Sequence, residues 1–549
     1  MTAGPVGPTG ARAGTTVANP LLPGCYPDPS ICRVGEDYYL VTSTFEYLPG
    51  LPVHRSRDLV SWEQIGHVVD RPGQLDLSGI ASSGGLYAPT IRHHDGLFWL
   101  VCTLVDQRDP ARGGHFLVTA EDAAGPWSDP VWLDADGIDP SLLFDDDGRV
   151  WLHATRPARQ PQWHDQTEVW LRELDPVRRT LVGPEHVIWR GALVGAVWAE
   201  GPHLYRVDDG YLLLAAEGGT ELQHAVSAAR ADHVTGPYTG SAGNPVLTHR
   251  HLGHEVDVVG VGHADLVQAA DGSWWAVVLG MRPYGGLHYP LGRETFLVPV
   301  RWEDGWPVFA PGAGRVPASV EVPGAGPWRP GVTQGRTVGV VRPDDPRWTA
   351  VRALPTEVAT PDGDGWLLRV RPAGLTDLTV PAFLGLRQQH QDLDLRVVLH
   401  ADLADGEQAG IAVRQSERDH VLLSVGPAEV DAGAGVAGTV GPGAVGTARR
   451  RVVALRCAGG AESVLAEVVL TGDPTAPITL VLRARGTQYA LLAAIGAAEP
   501  AQVARADPRW LDSVTTGGFL GVWLGVHATS HERPSGSTVR VVSVDYRPV

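Results

Sequence analysis

The stretch Asp28-Pro29-Ser30-Ile31, followed by Tyr38-Tyr39, is the first of five related segments in the first half of the chain. Each segment has a short turn, an apolar residue pair, a reversal such as Asp-Gly, and then an aromatic strand. The segments begin at Asp28, Ala88, Asp139, Glu200 and His263. These starts lie 60, 51, 61 and 63 residues apart. A period of this size, built from β-branched and aromatic runs between turn residues, is typical of a β-propeller. Five copies predict five blades.

Three of the five segments begin with an acid: Asp28, Asp139 and Glu200. The innermost strand of every propeller blade lines one central channel, so equivalent positions converge on the axis. The Glu200 copy has one extra residue, which predicts an offset of one position. Carboxylates crowded into one cavity cannot all ionise freely, so we expect at least one raised pKa. A difference in pKa between neighbouring carboxyls allows one to act as the acid and another as the base. On spacing alone, the alternative that these Asp residues only make turns stays open.

Composition limits the partners and the chemistry. The formal charge of −18, from 44 basic and 62 acidic residues without a basic cluster, predicts no nucleic-acid partner and no anionic membrane surface. The chain contains no lysine, which excludes Schiff-base chemistry and lysine-dependent phosphate loops.

Cysteine usage and the first residues bear on localisation. The four cysteines form no CxxC pair, so we expect free, buried thiols. The first residues lack the apolar core of a signal peptide, and no stretch reaches the length of a membrane span. Together these features predict a cytoplasmic protein.

A change of composition near residue 315 divides the chain. The repeat ends near Phe309, and residues 311–330 are rich in proline and glycine. The alternating apolar runs that follow are typical of a β-sandwich. We therefore predict a flexible tail over 1–17, a catalytic propeller over 18–315, a linker over 316–335 and an accessory sandwich over 336–549. The Gly- and Ala-rich stretch 428–448 is predicted to be a mobile loop.

Several motifs, in order along the chain, resemble glycoside hydrolase family 43. They are YPDPSI at 26–31, GLYAPTI at 85–91, GIDPS at 137–141, AEGPHLY at 199–205, GHADL at 262–266 and LGRET at 291–295. The second half, with FLGLRQQH at 383–390 and AGI at 409–411, resembles the concanavalin A-like accessory domain of the family's β-xylosidases. The resemblance implies an all-β fold, a five-bladed β-propeller followed by a concanavalin A-like β-sandwich.

The resemblance also implies an inverting hydrolase that releases xylose or arabinose from the non-reducing end of its substrate. A β-xylosidase is favoured, and an α-L-arabinofuranosidase is the alternative. By motif position, Asp28 is the general base, Glu200 the general acid, and Asp139 the residue that orients and tunes the acid. An inverting pair needs roughly 6.5–9.5 Å between its carboxyls to admit a water. An ionised Asp139 is expected to raise the pKa of Glu200.

Four further residues are implied as substrate contacts: Phe45, Tyr87, His263 and Arg293. Without the resemblance, the two aromatic residues would be interpreted as propeller core and Arg293 as a surface residue of a strand. Arg293 is the expected cation beside Asp28, and many relatives have Trp in place of Tyr87. His263 is expected to point at the channel, where a calcium ion held through water is one alternative and a satisfied buried histidine the other. No cofactor is expected to be required.

The sandwich is expected to close part of the pocket mouth, which favours xylo- or arabino-oligosaccharides as substrates. The sequence does not decide the oligomeric state, and the resemblance leaves a homo-oligomer open because relatives often form one. Two rivals stay open at this point. The first is a five-bladed fructan hydrolase, for which Arg108-Asp109-Pro110 resembles one motif but falls outside the repeat phase. The second is a non-catalytic sugar-binding propeller, against which three axial acids argue.

Overall fold

The structure, a computed structural model, describes residues 15–323, 339–428 and 448–549. Its first half consists of five antiparallel sheets of four or five strands each, here called blades 1 to 5. Blade 1 contains Ser30–Val34, Asp37–Val41, Gly50–Ser56 and Glu63–Val69. Blade 2 contains Gly85–Leu86, Thr90–His94, Leu97–Val105, Gly114–Ala120 and Val131–Trp132. Blade 3 contains Ile138–Phe144, Val150–Pro157, Thr167–Asp175 and Thr180–Trp189. Blade 4 contains Glu200–Val207, Gly210–Glu217, Ala225–Ala231, Thr239–Gly240 and Leu247–Thr248. Blade 5 contains Val259–Gln268, Trp274–Met281, Glu294–Glu303 and Trp306–Phe309.

The inner strands of the blades form a closed ring. Each inner strand contacts that of the next blade, and the inner strand of blade 5 contacts that of blade 1. The repeated reversals make the hairpins of the blades. Asp95 and Gly96, for example, both have positive φ angles of 48° and 77°, as a two-residue type I′ turn requires. The predicted five-bladed propeller is confirmed.

The start of each inner strand has a recurring backbone feature. Asp28, Asp139 and His263 have φ angles of 55°, 55° and 48°, and Gly201 has 49°. Pairing with the second strand shifts register at this place in blades 3, 4 and 5. Bulges of this kind redirect side chains beside active sites. In blade 4 the equivalent of Asp28 is therefore Gly201, and Glu200 precedes it by one residue.

The second half is a two-sheet sandwich. One sheet contains Gly339–Val340, Ala359–Asp362, Gly365–Arg369, Leu393–Ala401, Ile478–Arg485, Gln488–Ile495, Ala501–Ala506 and Thr538–Pro548. The other contains Ala382–Arg387, Gln408–Arg414, His420–Pro427, Ala448–Ala458, Ala461–Gly472 and Trp523–Thr529. Along Leu393–Ala401 every second side chain is buried, so this strand turns one face to the core between the sheets. The short helices of the described residues are Pro110–Arg112, Pro355–Val358, Pro508–Trp510 and Ser513–Thr516.

The ends of the propeller differ from the predicted tail and linker. Thr15–Ala18 pairs with Ser319–Val322, so residues 15–17 and 319–322 form a two-stranded ladder instead of flexible segments. The reason is burial: Val17, Val320 and Val322 pack against the apolar cluster that contains Trp62. The rest of the predicted tail, residues 324–335 of the linker and residues 429–447 of the predicted loop lie outside the described residues.

A second short ladder joins the two halves of the molecule. Tyr47–Leu48 of the propeller pairs with Ala350–Val351, which precedes the sandwich. Beside this ladder, Tyr47 stacks on Trp523 with 4.0 Å between ring centroids. Arg414 and Glu46, both fully buried, form an ion pair at 3.1 Å. The sandwich is thereby fixed against the face of the propeller on which the inner strands begin.

The four cysteines are free and buried, as predicted. Within the described ranges, the structure has no helix that is both long and apolar enough to cross a membrane.

Candidate active site

A small pocket opens where the five inner strands begin. All seven residues singled out from the sequence line it. The lining comprises Asp28, Phe45, Tyr87, Ala88, Ile138, Asp139, Glu200, Ala216, Thr220, His224, His263, Leu279, Arg293 and Phe519. Its volume of about 70 Å³ is small for a ligand site, which suits one terminal sugar ring better than the middle of a chain.

Asp28 is held in a fixed orientation at the pocket wall. Its Oδ1 accepts a hydrogen bond from Arg293 Nη1 at 2.7 Å, and its Oδ2 accepts one from Ser43 Oγ at 2.6 Å. His263 Nδ1 lies 3.5 Å from the same Oδ1. Both carboxylate oxygens are therefore anchored, which fixes the orientation of the side chain.

Glu200 is the acid with a pKa suited to proton donation. Burial raises its pKa to about 7, the charge of Asp28 adds to this, and the Arg293 guanidinium opposes it. The pKa of Asp139 is also raised, first by burial and then by the charges of Glu200 and Asp28. Asp139 accepts a hydrogen bond from the Gly201 backbone N–H at 3.0 Å. Burial is the first cause of the raised pKa of both carboxyls, and the repulsion between Glu200 and Asp139 couples their titrations.

Arg293 connects the acids to the aromatic wall. Its Nη1 also donates to Thr220 Oγ1 at 3.1 Å, and its guanidinium lies 5.6 Å and 5.4 Å from the ring centroids of Phe45 and Phe519. The residue is buried, which corrects the interpretation of a surface strand arginine. A buried guanidinium with an ion pair and two aromatic neighbours is positioned to bind sugar hydroxyls.

Three aromatic rings make the other wall. Phe45 contacts Tyr87 at 5.6 Å edge to face and Phe519 at 6.0 Å in a stacked arrangement. The close approach of the Phe45 backbone requires glycine at 85, because a Cβ there would lie 2.2 Å from the Phe45 carbonyl oxygen. Phe519 belongs to the sandwich, so both domains complete the pocket.

Comparison with known proteins adds the decisive observation. The family model for glycosyl hydrolases family 43 matches residues 17–307, which span all five blades. The chain belongs to this family.

The second half of this family 43 chain also matches a family model. Residues 344–547 match the beta xylosidase C-terminal concanavalin A-like domain, which confirms the predicted fold class. The chain is 43% identical over 416 residues to a xylosidase/arabinosidase of Butyrivibrio fibrisolvens, covering 74% of this chain and 79% of the relative. It is 35% identical over 552 residues to the non-reducing end alpha-L-arabinofuranosidase BoGH43B of Bacteroides ovatus, covering 97% and 95%. Among solved structures, xylan beta-1,4-xylosidase from Bacillus halodurans is similar with a TM-score of 0.86 at 30% identity, covering 97% and 100%.

A second polar layer lies beneath the pocket of the family 43 chain. Its central residue, Asp265, is two residues further along the inner strand of blade 5 than His263. Asp265 accepts hydrogen bonds from Arg92 at 2.8 and 3.1 Å, from Ser30 Oγ at 2.7 Å and from the Tyr205 hydroxyl at 2.6 Å. Although burial raises the pKa of Asp265, the Arg92 guanidinium brings it well below its usual range. This ion pair joins blades 2 and 5 below the acids. It therefore fixes the spacing of the inner strands.

His263 lies between the two layers. Its ring leaves no room for a side chain at Gly201, where a Cβ would lie 2.9 Å from two ring atoms. Burial lowers the pKa of His263, so its imidazole is neutral at neutral pH. In the parts of the chain that the structure describes, no three His, Cys, Asp or Glu side chains form a group that could hold a metal. Calcium takes six to eight oxygen ligands, so the protein groups at this place do not by themselves form a cage for it.

Sequence reasoning missed several residues of the site: Ser43, Arg92, Thr220, His224, Asp265 and Phe519. Asp265 falls two residues after His263, at the place of Ser30 in the first copy, so alignment of the copies could have found it. Phe519 carries no such signal because nothing in the sandwich repeats.

Proposed function

We propose that this chain is an exo-acting, inverting β-xylosidase that releases xylose from the non-reducing end of xylo-oligosaccharides or arabinoxylan fragments. The observation that carries the proposal is the small pocket that joins three carboxyls, Arg293 and an aromatic wall. A pocket closed on one side by Phe519 accepts a chain end, whereas an open groove would be needed to bind the middle of a polymer.

The chemistry divides between two blades. Glu200, whose pKa of about 7 keeps it substantially protonated at neutral pH, donates its proton to the glycosidic oxygen as the bond to the anomeric carbon breaks. Asp28 takes a proton from a water that attacks the anomeric carbon from the opposite face. A C–O bond to water replaces the C–O bond to the leaving sugar, and the configuration inverts. Afterwards the proton on Asp28 returns through solvent to Glu200.

The remaining pocket residues position the reactants. Asp139, held by the Gly201 N–H, orients the acid from blade 3. Arg293 holds Asp28 and offers its remaining N–H groups to sugar hydroxyls. Phe45, Tyr87 and Phe519 present apolar faces against which the sugar ring packs.

α-L-Arabinofuranosidase is the second candidate. Two similar proteins support it, since one is named a xylosidase/arabinosidase and the other an alpha-L-arabinofuranosidase. The similar solved structure from Bacillus halodurans, which is named a xylan beta-1,4-xylosidase, supports the first candidate.

The test is hydrolysis of nitrophenyl β-xyloside, nitrophenyl α-L-arabinofuranoside and xylobiose. We expect the wild-type protein to cleave xylobiose and to prefer the xyloside. NMR spectra taken early in the reaction should contain α-xylose before β-xylose. A first product with β configuration would overturn the inverting mechanism, and no cleavage of any of the three substrates would overturn the proposed function.

Three further expectations belong to the proposal. Hydrolysis should proceed at an unchanged rate after dialysis against a chelator. If the rate falls and added calcium restores it, a calcium ion near His263 is the alternative. The protein should be cytoplasmic. A homo-oligomer is expected, which light scattering of the full chain will test.

A further inference from the structure

An exposed tryptophan, Trp198, lies close in the chain to the acid Glu200. Trp198 is 39% exposed and lies two residues before Glu200. Two residues span at most about 7 Å, so its backbone is next to that of the acid. The φ angle of Trp198 is 50°, a left-handed conformation that is unusual for a large aromatic residue. Strain of this kind persists where the surrounding structure imposes it, and it is concentrated at functional sites.

The Trp198 indole packs against the backbone of Gly219. A Cβ added at Gly219 would be 2.8 and 3.0 Å from two carbons of the Trp198 ring, so the ring packs directly on the backbone there. The next residue, Thr220, lines the pocket and accepts the hydrogen bond from Arg293. Trp198 therefore packs beside the segment that supplies Thr220 to the catalytic pocket, and it precedes the inner strand that carries Glu200.

The loop that carries the indole is fixed from several sides. The Trp198 N–H donates to the Asp165 carbonyl at 3.2 Å, and the Gly218 N–H donates to the Val197 carbonyl at 3.0 Å. The Trp163 indole N–H donates to the Ala196 carbonyl at 2.7 Å. A binding surface ordered before the ligand arrives loses less entropy on binding.

A second cavity of about 400 Å³ is lined in part by this indole and by Glu217 and Gly218, which lie between the pocket residues Ala216 and Thr220 in the chain. Its lining includes Trp198, Gln223 and Asn244, and its charged side chains are one acid, Glu217, and one base, Arg250. An aromatic face beside the Gln223 amide, exposed apolar side chains and balanced charge suits an uncharged polyhydroxylated ring. The leaving group must extend past Glu200, because Glu200 protonates its oxygen, and Trp198 is two residues from Glu200 in the chain.

We propose that Trp198 and the adjoining cavity bind the leaving-group sugar, an uncharged pyranose of the substrate chain. The inference rests on the proposed function and extends it. Trp198 is then a specificity-determining residue, since it favours saccharide leaving groups over small ones without taking part in the proton transfers.

The experiment compares two leaving groups in the Trp198→Ala variant. Xylotriose has a leaving group that reaches the indole, whereas β-xylosyl fluoride has a leaving group of one atom that does not. We expect kcat/KM for xylotriose to fall about tenfold and that for the fluoride to change less than about twofold. Trp198→Phe, which keeps a smaller ring, should give an intermediate loss with xylotriose.

The matched control is Trp132→Ala, since Trp132 is another exposed tryptophan, 48% accessible, on the outer strand of blade 2. It should leave both rates unchanged. Equal losses for the two substrates in both Trp198 variants would overturn the inference, because Trp198 would then only position Glu200 or support the fold. Failure of the wild-type protein to cleave either substrate would instead overturn the proposed function.

Discussion

Replacement of Glu200 by glutamine tests the assignment of the acid most directly. The variant keeps the size and hydrogen-bonding shape of the side chain but removes its proton. A general acid contributes about 10²–10⁴ to the rate, so kcat/KM for xylobiose should fall by that factor, or about 2.7–5.5 kcal/mol. β-Xylosyl fluoride needs no protonation to depart, so its hydrolysis should stay within a few-fold of wild type.

The pH profile follows from the pKa of about 7. The acid form of Glu200 is the active one, so the rate falls as the pH rises through this value. From pH 6 to pH 8 the protonated fraction drops from about nine-tenths to about one-tenth, which predicts about a tenfold loss in wild type. In Glu200→Gln this alkaline limb should be absent.

The stability of the wild-type protein should also fall as the pH rises. The folded protein retains the proton of Glu200 up to about pH 7, whereas the unfolded chain loses it near 4.5, so wild-type stability falls as the pH rises between these values. The difference corresponds to about 3 kcal/mol. The melting temperature of Glu200→Gln, relative to wild type, should therefore be higher at pH 8 than at pH 4.

Asp145→Asn is the matched control. Asp145 is a buried carboxyl of blade 3 that accepts from the Tyr211 hydroxyl at 2.7 Å, at the far end of the strand from Asp139. Its loss should leave the leaving-group dependence and the alkaline limb intact. An alkaline limb near pH 7 that survives in Glu200→Gln would refute the reasoning, and the proton donor would then have to be sought at Asp139.

Three further predictions follow from other contacts. Asp28→Asn should lower kcat for both xylobiose and β-xylosyl fluoride by about 10²–10⁴, because both reactions need an activated water; retained fluoride hydrolysis would contradict its role as base. Phe519→Ala should raise KM for xylobiose about tenfold while thermal unfolding changes little, because the ring contributes one pocket wall from the sandwich; an unchanged KM would remove it from the site. Arg414→Met should destabilise the protein by about 3–5 kcal/mol in denaturant unfolding, because Glu46 loses its partner while buried; adding Glu46→Gln should restore part of the loss, and no recovery would argue against the pair.

Several features of the site were readable from the repeat. Asp28 and Asp139 occupy the same position of their copies, and their equal φ angles confirm it. The extra residue in the fourth copy correctly predicted that Glu200 stands one position away. Arg293 could be placed only through resemblance, since it directly precedes the third strand of blade 5 and belongs to no repeated pattern. The ladder of residues 15–18 with 319–322 was missed because its composition is that of a linker, and only burial against the propeller makes it a strand.

The sequence by itself determined the five blades, the sandwich and the convergence of three acids. These features depend on periods and turns within short segments, which local residue preferences encode. The tertiary structure decided that Phe519, from the other domain, closes the pocket, that Arg92 pairs with Asp265 beneath it, and that Glu200 has a pKa of about 7. Each of these depends on distances between residues far apart in the chain. Desolvation and Coulomb interactions vary steeply with such distances, and no local pattern of residues records them.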